Sequence, residues 1–401
     1  MSPPSSALHL AVALEGAGWH PAAWREPQAR PAELLSARYW VGLVQQAEHG
    51  LLDFVTIEDG FGQRSANYGE PSGRADQVQG RLDAVLIAAR VAPLTTHIGL
   101  VPTAVVTHTE PFHLSKAIAT LDYVSAGRAG VRVRVSARQD EAALFGRRTF
   151  PQFGYSQRAD PAIQQLISGL FDEAADYVEV VRRLWDSWED DAEIRDAATG
   201  RFVDREKLHY IDFDGDYFSV KGPSITPRPR QGQPIVSALG HGTVPYELIA
   251  KAADVGYVTP RDADHAKQIV AEIHAAGRQL ADPVHIFADL VVFLGPSEAA
   301  AADRKARLDE LAGRAYTSDA TIFTGTPARL ADLLIEWQRS GLSGFRLRPG
   351  AIPDDVEAIT RELVPELQRR GSFRTTYEAD SLRGLLGLNR PASRYASVGS
   401  N

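Results

Sequence analysis

Cysteine is absent from the 401 residues, which removes disulfides, thiolate metal sites and a cysteine nucleophile together. Runs of one charge are missing too, because 43 basic side chains are scattered among 51 acidic ones for a net charge of −8. A phosphate-backbone binder needs a basic surface, so nucleic acid is not an expected partner. No run of about 18 apolar residues occurs, which argues against a membrane span. The opening MSPPSSALHLAVAL lacks the basic start and long apolar stretch of a secretory signal. There is no low-complexity tract. These absences leave a soluble, cytoplasmic enzyme or enzyme-like protein as the expected class. With 44% apolar and 23% charged residues the chain can bury a large core.

The order of elements predicts the architecture. Short apolar strand runs fall at residues 8–14, 54–57, 97–101, 130–136, 234–239, 255–259, 284–294 and 344–347. Helical spacing appears at 31–50, 82–91, 112–124, 163–188, from Val244, at 327–340 and at 353–370. Apolar strands alternating with helices mean parallel strands joined by right-handed crossovers, and eight such units favour a closed (β/α)₈ TIM barrel. A dinucleotide-binding open sheet would want Gly-x-Gly-x-x-Gly after the first strand, and Glu15-Gly-Ala-Gly-Trp-His20 does not supply it. The chain is therefore expected to be a single α/β domain over 1–401. Insertions are expected at about 60–77, 137–161 and 189–232, with a C-terminal extension at 371–401. Loops that follow barrel strands form the face where ligands sit, and long ones there read as lids.

Several blocks carry a resemblance. Gly18-Trp-His-Pro-Ala-Ala-Trp-Arg25, Tyr39-Trp-Val, Asp53-Phe-Val-Thr-Ile-Glu-Asp-Gly60 and Gly99-Leu-Val-Pro-Thr103 come first. Glu110-Pro-Phe-His-Leu114, the segment from Leu121 to Gly130 and Leu184-Trp-Asp-Ser-Trp-Glu-Asp-Asp191 follow. Phe373-Arg-Thr-Thr-Tyr377 and the segment from Leu382 to Pro391 complete the series. In this order the chain resembles the bacterial-luciferase-like flavin-dependent monooxygenases, in the branch of nitrilotriacetate and dibenzothiophene-sulfone monooxygenases. The resemblance implies a two-component enzyme that receives reduced FMN from a separate flavin reductase and forms a C4a-hydroperoxide with O₂. It would oxygenate a small organic substrate, as a homodimer or as a heterodimer with a paralogue.

Site residues follow from that resemblance. Asp59, at the end of the second strand, would bond the flavin ring edge; as a bare sequence feature it equally suits an N-cap or a buried salt bridge. Thr103 would reach a flavin carbonyl or ribityl oxygen, and Ser136 joins the same cofactor-binding set. Gly240, His241, Gly242 and Thr243 align with the family's phosphate loop, where backbone N–H groups at a helix N-terminus meet an anion. His20 matches the family's N-terminal histidine, a candidate catalytic proton relay. His108 and His113 flank Glu110-Pro111, but that spacing lacks a third ligand, so no metal site is expected.

Other positions depart from the family. Its His and Tyr near the start of the long helix fall on Ile167 and Phe171, which donate no hydrogen bond. Its fourth strand reads Val131-Arg-Val-Arg-Val-Ser136. Strand residues alternate faces, so the three valines should meet the helices while Arg132, Arg134 and Ser136 face the barrel axis. Guanidiniums there require anionic partners, with Glu15, Glu58 and Asp59 as the strand-end candidates. An ion-pair plug and an anion-binding pocket are both open readings. So are a non-catalytic partner subunit or ligand-binding barrel with a degenerate flavin site, and a deazaflavin cofactor.

Overall fold

In a computed structural model, which describes residues 8–63, 73–278 and 280–396, eight parallel strands close into a barrel. They are β1 His9–Leu14, β2 Phe54–Ile57, β3 Gly99–Val105, β4 Gly130–Arg134, β5 Ile235–Leu239, β6 Val255–Val258, β7 His285–Leu294 and β8 Gly344–Pro349. Each pairs with the next, and β8 pairs back onto β1 with His9 opposite Gly344. Helices return the chain between strands, the longest being Pro161–Asp186. The TIM barrel expected from the rhythm of the sequence is thus the fold.

The differences are local. The third strand starts two residues later than its apolar run suggests and extends to Val105. A ninth parallel strand, Thr321–Gly325, escaped the pattern because its residues are only half-buried. It exists because β7 is ten residues long and β6 only four. β6 covers His285 to Ala288, and the extra strand covers Leu290 to Leu294 beyond it. Two further helices were not read from the sequence, Ala263–Ala275, which buries the stripe Ala266, Ile269, Val270 and Ile273, and Glu298–Ala312, which buries only Ala301, Leu308 and Ala312. Of the insertions, 60–77 lies partly outside the described residues, and 189–232 forms two small antiparallel pairs.

The pleat sorts the barrel interior into layers. At the N-terminal end Ala11, Phe54, Val101, Ile235, Val255 and Phe287 point inward. Leu382, Leu386 and Leu388 of the C-terminal extension plug that end. Gly99 makes the plug possible, since a Cβ there would stand 2.5 Å from the Leu382 side chain. The Phe373–Tyr377 motif locks the same end. Arg374 Nη2 and His9 Nδ1 bond Asp53 at 2.5 and 2.8 Å, and the Tyr377 hydroxyl donates to the Leu52 carbonyl at 2.9 Å. Leu184-Trp-Asp-Ser-Trp188 is packing as well. The Trp185 and Trp188 indoles donate to the carbonyls of Ser115 and Ser224. These motifs hold the closed end of the barrel and leave the C-terminal mouth to carry chemistry.

Candidate functional site

Above the apolar layer the interior turns ionic. Arg132 and Arg346 share Glu58, through Arg132 Nη1 to Oε2 at 2.5 Å and Arg346 Nη1 to Oε1 at 3.1 Å. Asp289 takes Arg346 Nε at 2.8 Å and Nη2 at 2.5 Å. It also takes Arg348 Nε at 2.9 Å, with Arg348 Nη2 in close contact. Arg348 then reaches the rim, its Nη1 meeting Asp319 at 2.6 Å. The Arg346 guanidinium lies 4.0 Å over the Tyr257 ring and that of Arg348 lies 4.5 Å over Trp19. Burial alone would raise both acids, but Arg132 and Arg346 hold Glu58, and Arg346 and Arg348 hold Asp289, below the usual carboxylate range. Burial would likewise lower Arg346 and Arg348, yet Asp289 raises both. Arg132 differs. Burial lowers it, and the Glu58 carboxylate it shares does not make up the deficit.

This ladder floors a cavity of about 590 Å³ at the C-terminal mouth. Glu15, Asp59, Arg134 and Leu239 from the strand ends line it, with Trp19 and Tyr316 as aromatic walls. The volume suits a small-molecule ligand, for which pockets run roughly 300–1,000 Å³.

The period-two reading of β4 is correct for Arg132, which faces the axis and bonds Glu58 while Val131 and Val133 join the core under the helices. Arg134 lies on the same face and lines the cavity, but its expected partners need correction. It is 31% exposed, donates to the Asp59 backbone carbonyl at 2.7 Å and lies 3.6 Å from Glu141. Glu15 in turn lies 3.8 Å from Arg81. The strand is near its end at Arg134, so the side chain leaves the closed interior for the mouth. The partners that complete the ladder are Asp289, Arg346, Arg348 and Asp319. A signal existed in HIFADLVVFL, whose lone Asp interrupts an apolar run, and in the alternating arginines of GFRLRP.

The expected cofactor residues are only partly brought together. Asp59 lines the mouth, its oxygens accepting the Gly60 amide at 2.7 Å and the Ala84 amide at 2.9 Å, and burial raises its pKa against those bonds. Thr103 is fully buried below, its hydroxyl accepting from Arg132 Nη1 at 3.1 Å. Ser136 is buried and is not among the residues that line the cavity, with its amide on Thr107 Oγ1. Gly240 packs on Tyr246, and a Cβ there would come within 2.8 Å of that ring. Gly242 precedes helix Thr243–Ala252, whose N-terminus no side chain caps, and a Cβ at Gly242 would meet open space. Thr243 is exposed. His241 ties this loop to the ladder, with Nδ1 3.0 Å from Thr259 Oγ1 and Nε2 3.4 Å from Asp319.

His20 sits behind the cavity wall. It is 1% exposed, packed 5.1 Å from the Tyr316 ring centroid. Its Nδ1 accepts the Ala22 amide at 3.1 Å, so Nε2 carries the proton toward Asp309 at 3.0 Å. Burial lowers its pKa more than Asp309 raises it, which keeps the ring neutral. Such a histidine props Tyr316 and does not face the cavity. Ile167 packs with Ala137, Phe150 and Phe153, and Phe171 against the main core. His108 stacks on Phe145 at 5.1 Å while His113 is exposed, so the two do not converge.

Residues 17–319 match the luciferase-like monooxygenase family. The chain belongs to that family. It is 30% identical to N-acetyl-S-(2-succino)cysteine monooxygenase of Bacillus subtilis (strain 168), over 97% of this chain and 98% of that one. To nitrilotriacetate monooxygenase component A of Aminobacter aminovorans it is 28% identical, over 97% and 98%. A crystal structure of riboflavin lyase with modified FMN and riboflavin superposes with a TM-score of 0.80 and 24% identity over 95% of this chain and 96% of that one. The family is one of flavin-dependent monooxygenases, and the question for this barrel is whether its mouth suits a flavin. Two observations say that it does. Arg132 lines the cavity, and its Nε is buried without a hydrogen-bond partner, an orphaned donor suited to an acceptor. The uncapped helix start at Gly242 offers backbone N–H groups with no Cβ in the way.

Proposed function

We propose that this chain is the oxygenase component of a two-component system. It would take reduced FMN from a separate flavin reductase and, with O₂, oxygenate a small organic substrate. The observation that carries the reading is the cavity of about 590 Å³ at the mouth of a luciferase-like barrel, floored by a guanidinium with unmet donors. Bound flavin would supply the activation of O₂. Asp59 and Arg132 are the residues that would hold the ring edge, and the Gly242–Thr243 amides would hold the phosphate. Trp19, Leu239 and Tyr316 supply apolar wall. The ladder from Glu58 to Asp319 fixes the floor, and the loop over 137–161 helps to keep water out. A cytoplasmic homodimer, or a heterodimer with a paralogue, is the assembly proposed with it.

Affinity is the first test. Ile167 and Phe171 forfeit two contacts worth on the order of 1–3 kcal/mol each, so FMN should bind with a dissociation constant in the micromolar range or weaker. Fluorescence titration with FMN, oxidised and then reduced without oxygen, measures it. Ligand at a hundred times its dissociation constant should stabilise the fold by roughly 2.7 kcal/mol. Yellow flavin surviving purification would show that other groups replace the lost contacts. Thr103 and His20 both turned inward favour the second reading, a non-catalytic partner subunit, and no stabilisation at millimolar flavin would decide for it.

A further inference from the structure

Three guanidiniums meet in the barrel floor, and two are fully used. Arg346 places Nε and Nη2 on Asp289 and Nη1 on Thr56 and Glu58. Arg348 places Nε and Nη2 on Asp289 and Nη1 on Asp319. Arg132 is bonded through Nη1 alone, to Glu58 and to Thr103 at 3.1 Å. Its Nε is buried and unpartnered, and the bonds that described residues make to the guanidinium all fall on Nη1. The side chain is only 7% exposed, and what it borders is the cavity.

The charges point the same way. Arg132, Arg346 and Arg348 are balanced by Glu58, Asp289 and Asp319, but Asp319 is 41% exposed at the rim beside Arg348. At the opposite end Arg132 shares its one carboxylate with Arg346. An arginine cannot shed its proton to escape burial, so an uncompensated guanidinium there is costly. Its open edge carries parallel N–H groups in a rigid plane, the geometry that a bidentate anion matches and a point acceptor does not.

We infer that the Nε–Nη2 edge of Arg132 is an anion subsite in the cavity floor, shaped for a planar, delocalised anion with two adjacent acceptor atoms. Two sources offer that chemistry, the pyrimidine edge of an anionic reduced flavin and the carboxylate of a substrate. The flavin source rests on the proposed function; the carboxylate source does not.

The experiment titrates the full chain and its Arg132→Gln and Arg132→Lys variants by calorimetry. The probes are riboflavin, oxidised and reduced, together with benzoate, succinate and chloride. Riboflavin lacks the phosphate, so the helix start at Gly242 does not enter. If the flavin fills the subsite, Arg132→Gln weakens reduced riboflavin about tenfold or more, the worth of one charge-assisted hydrogen bond, and changes the oxidised form less than threefold. If a substrate carboxylate fills it, benzoate or succinate binding falls about tenfold while reduced riboflavin is unaffected. Arg132→Lys keeps the charge and loses the fork, so it should recover only part of either loss. Should Arg132→Gln fail to fold, the lysine variant alone carries the comparison. Full recovery by lysine, equal competition by chloride, or no probe changing beyond threefold in a folded variant overturns the subsite. FMN binding that persists in that last case leaves the proposed function standing. Carboxylate binding without any flavin binding does the reverse.

Discussion

Asp289→Asn tests the ladder most directly. The asparagine keeps the shape of a fully buried side chain but removes the charge that two guanidiniums share. Arg346 retains Glu58 and Arg348 retains Asp319, so neither is stripped of every partner. Removing one member of a buried pair still costs about 3–5 kcal/mol, because the remaining charge stays desolvated. Unfolding entropy of roughly 2.1 cal/mol/K per residue gives this chain about 0.8 kcal/mol/K, so the midpoint should fall by about 4–6 °C. Asp319→Asn serves as the control. That carboxylate is 41% exposed, and a solvated pair is worth about 1 kcal/mol or less, near 1 °C. The assay is thermal unfolding followed by circular dichroism at about 0.05 and 1 M salt. Salt screens surface pairs and leaves buried ones nearly untouched, so the Asp289→Asn deficit should be the same at both. A deficit under about 1 °C, or one that salt removes, would refute the claim that these charges are desolvated.

Gly242→Glu should leave the fold intact, since a Cβ there meets open space, and should abolish the preference for FMN over riboflavin. Unchanged FMN affinity in that variant would place the phosphate elsewhere. His285 gives the chain an acid limb. Burial, reinforced by His9 whose ring centroid lies 5.4 Å away, pushes its pKa down to about 4, so between that value and the ordinary 6.5 the unfolded chain binds the extra proton. Its contribution is whole above pH 6.5 and is lost as pH falls toward 4, at no more than about 1.4 kcal/mol per pH unit. Denaturant unfolding of wild type and His285→Gln from pH 7 to 4 should therefore show a shallower decline in the variant, and parallel declines would remove His285 as a cause.

Much of the barrel was legible because a parallel strand buried on both faces must be an apolar run, and helices must separate such runs. Residues 54–57 and 130–136 needed nothing more to be read as strands, though the second ends at Arg134, and the alternation in β4 placed Arg132 on the axis. Periodicity tells a side chain which face it occupies but not which strand closes on it. Asp289 and Arg346 lie 57 residues apart and meet only because β7 and β8 pair in register. Glu58 and Arg346, 288 residues apart, meet because β8 returns to β1 and closes the ring beside β2. The pairing of β3 with β4, which sets Thr103 opposite Arg132, spends the Thr103 hydroxyl on that guanidinium. His20 was beyond local reading as well, since its partners Asp309 and Tyr316 belong to the segment between β7 and β8. The local sequence determined the strands, the helices and the inward face of β4. Which charges compensate one another, and which guanidinium edge is left open, was decided only when the barrel closed.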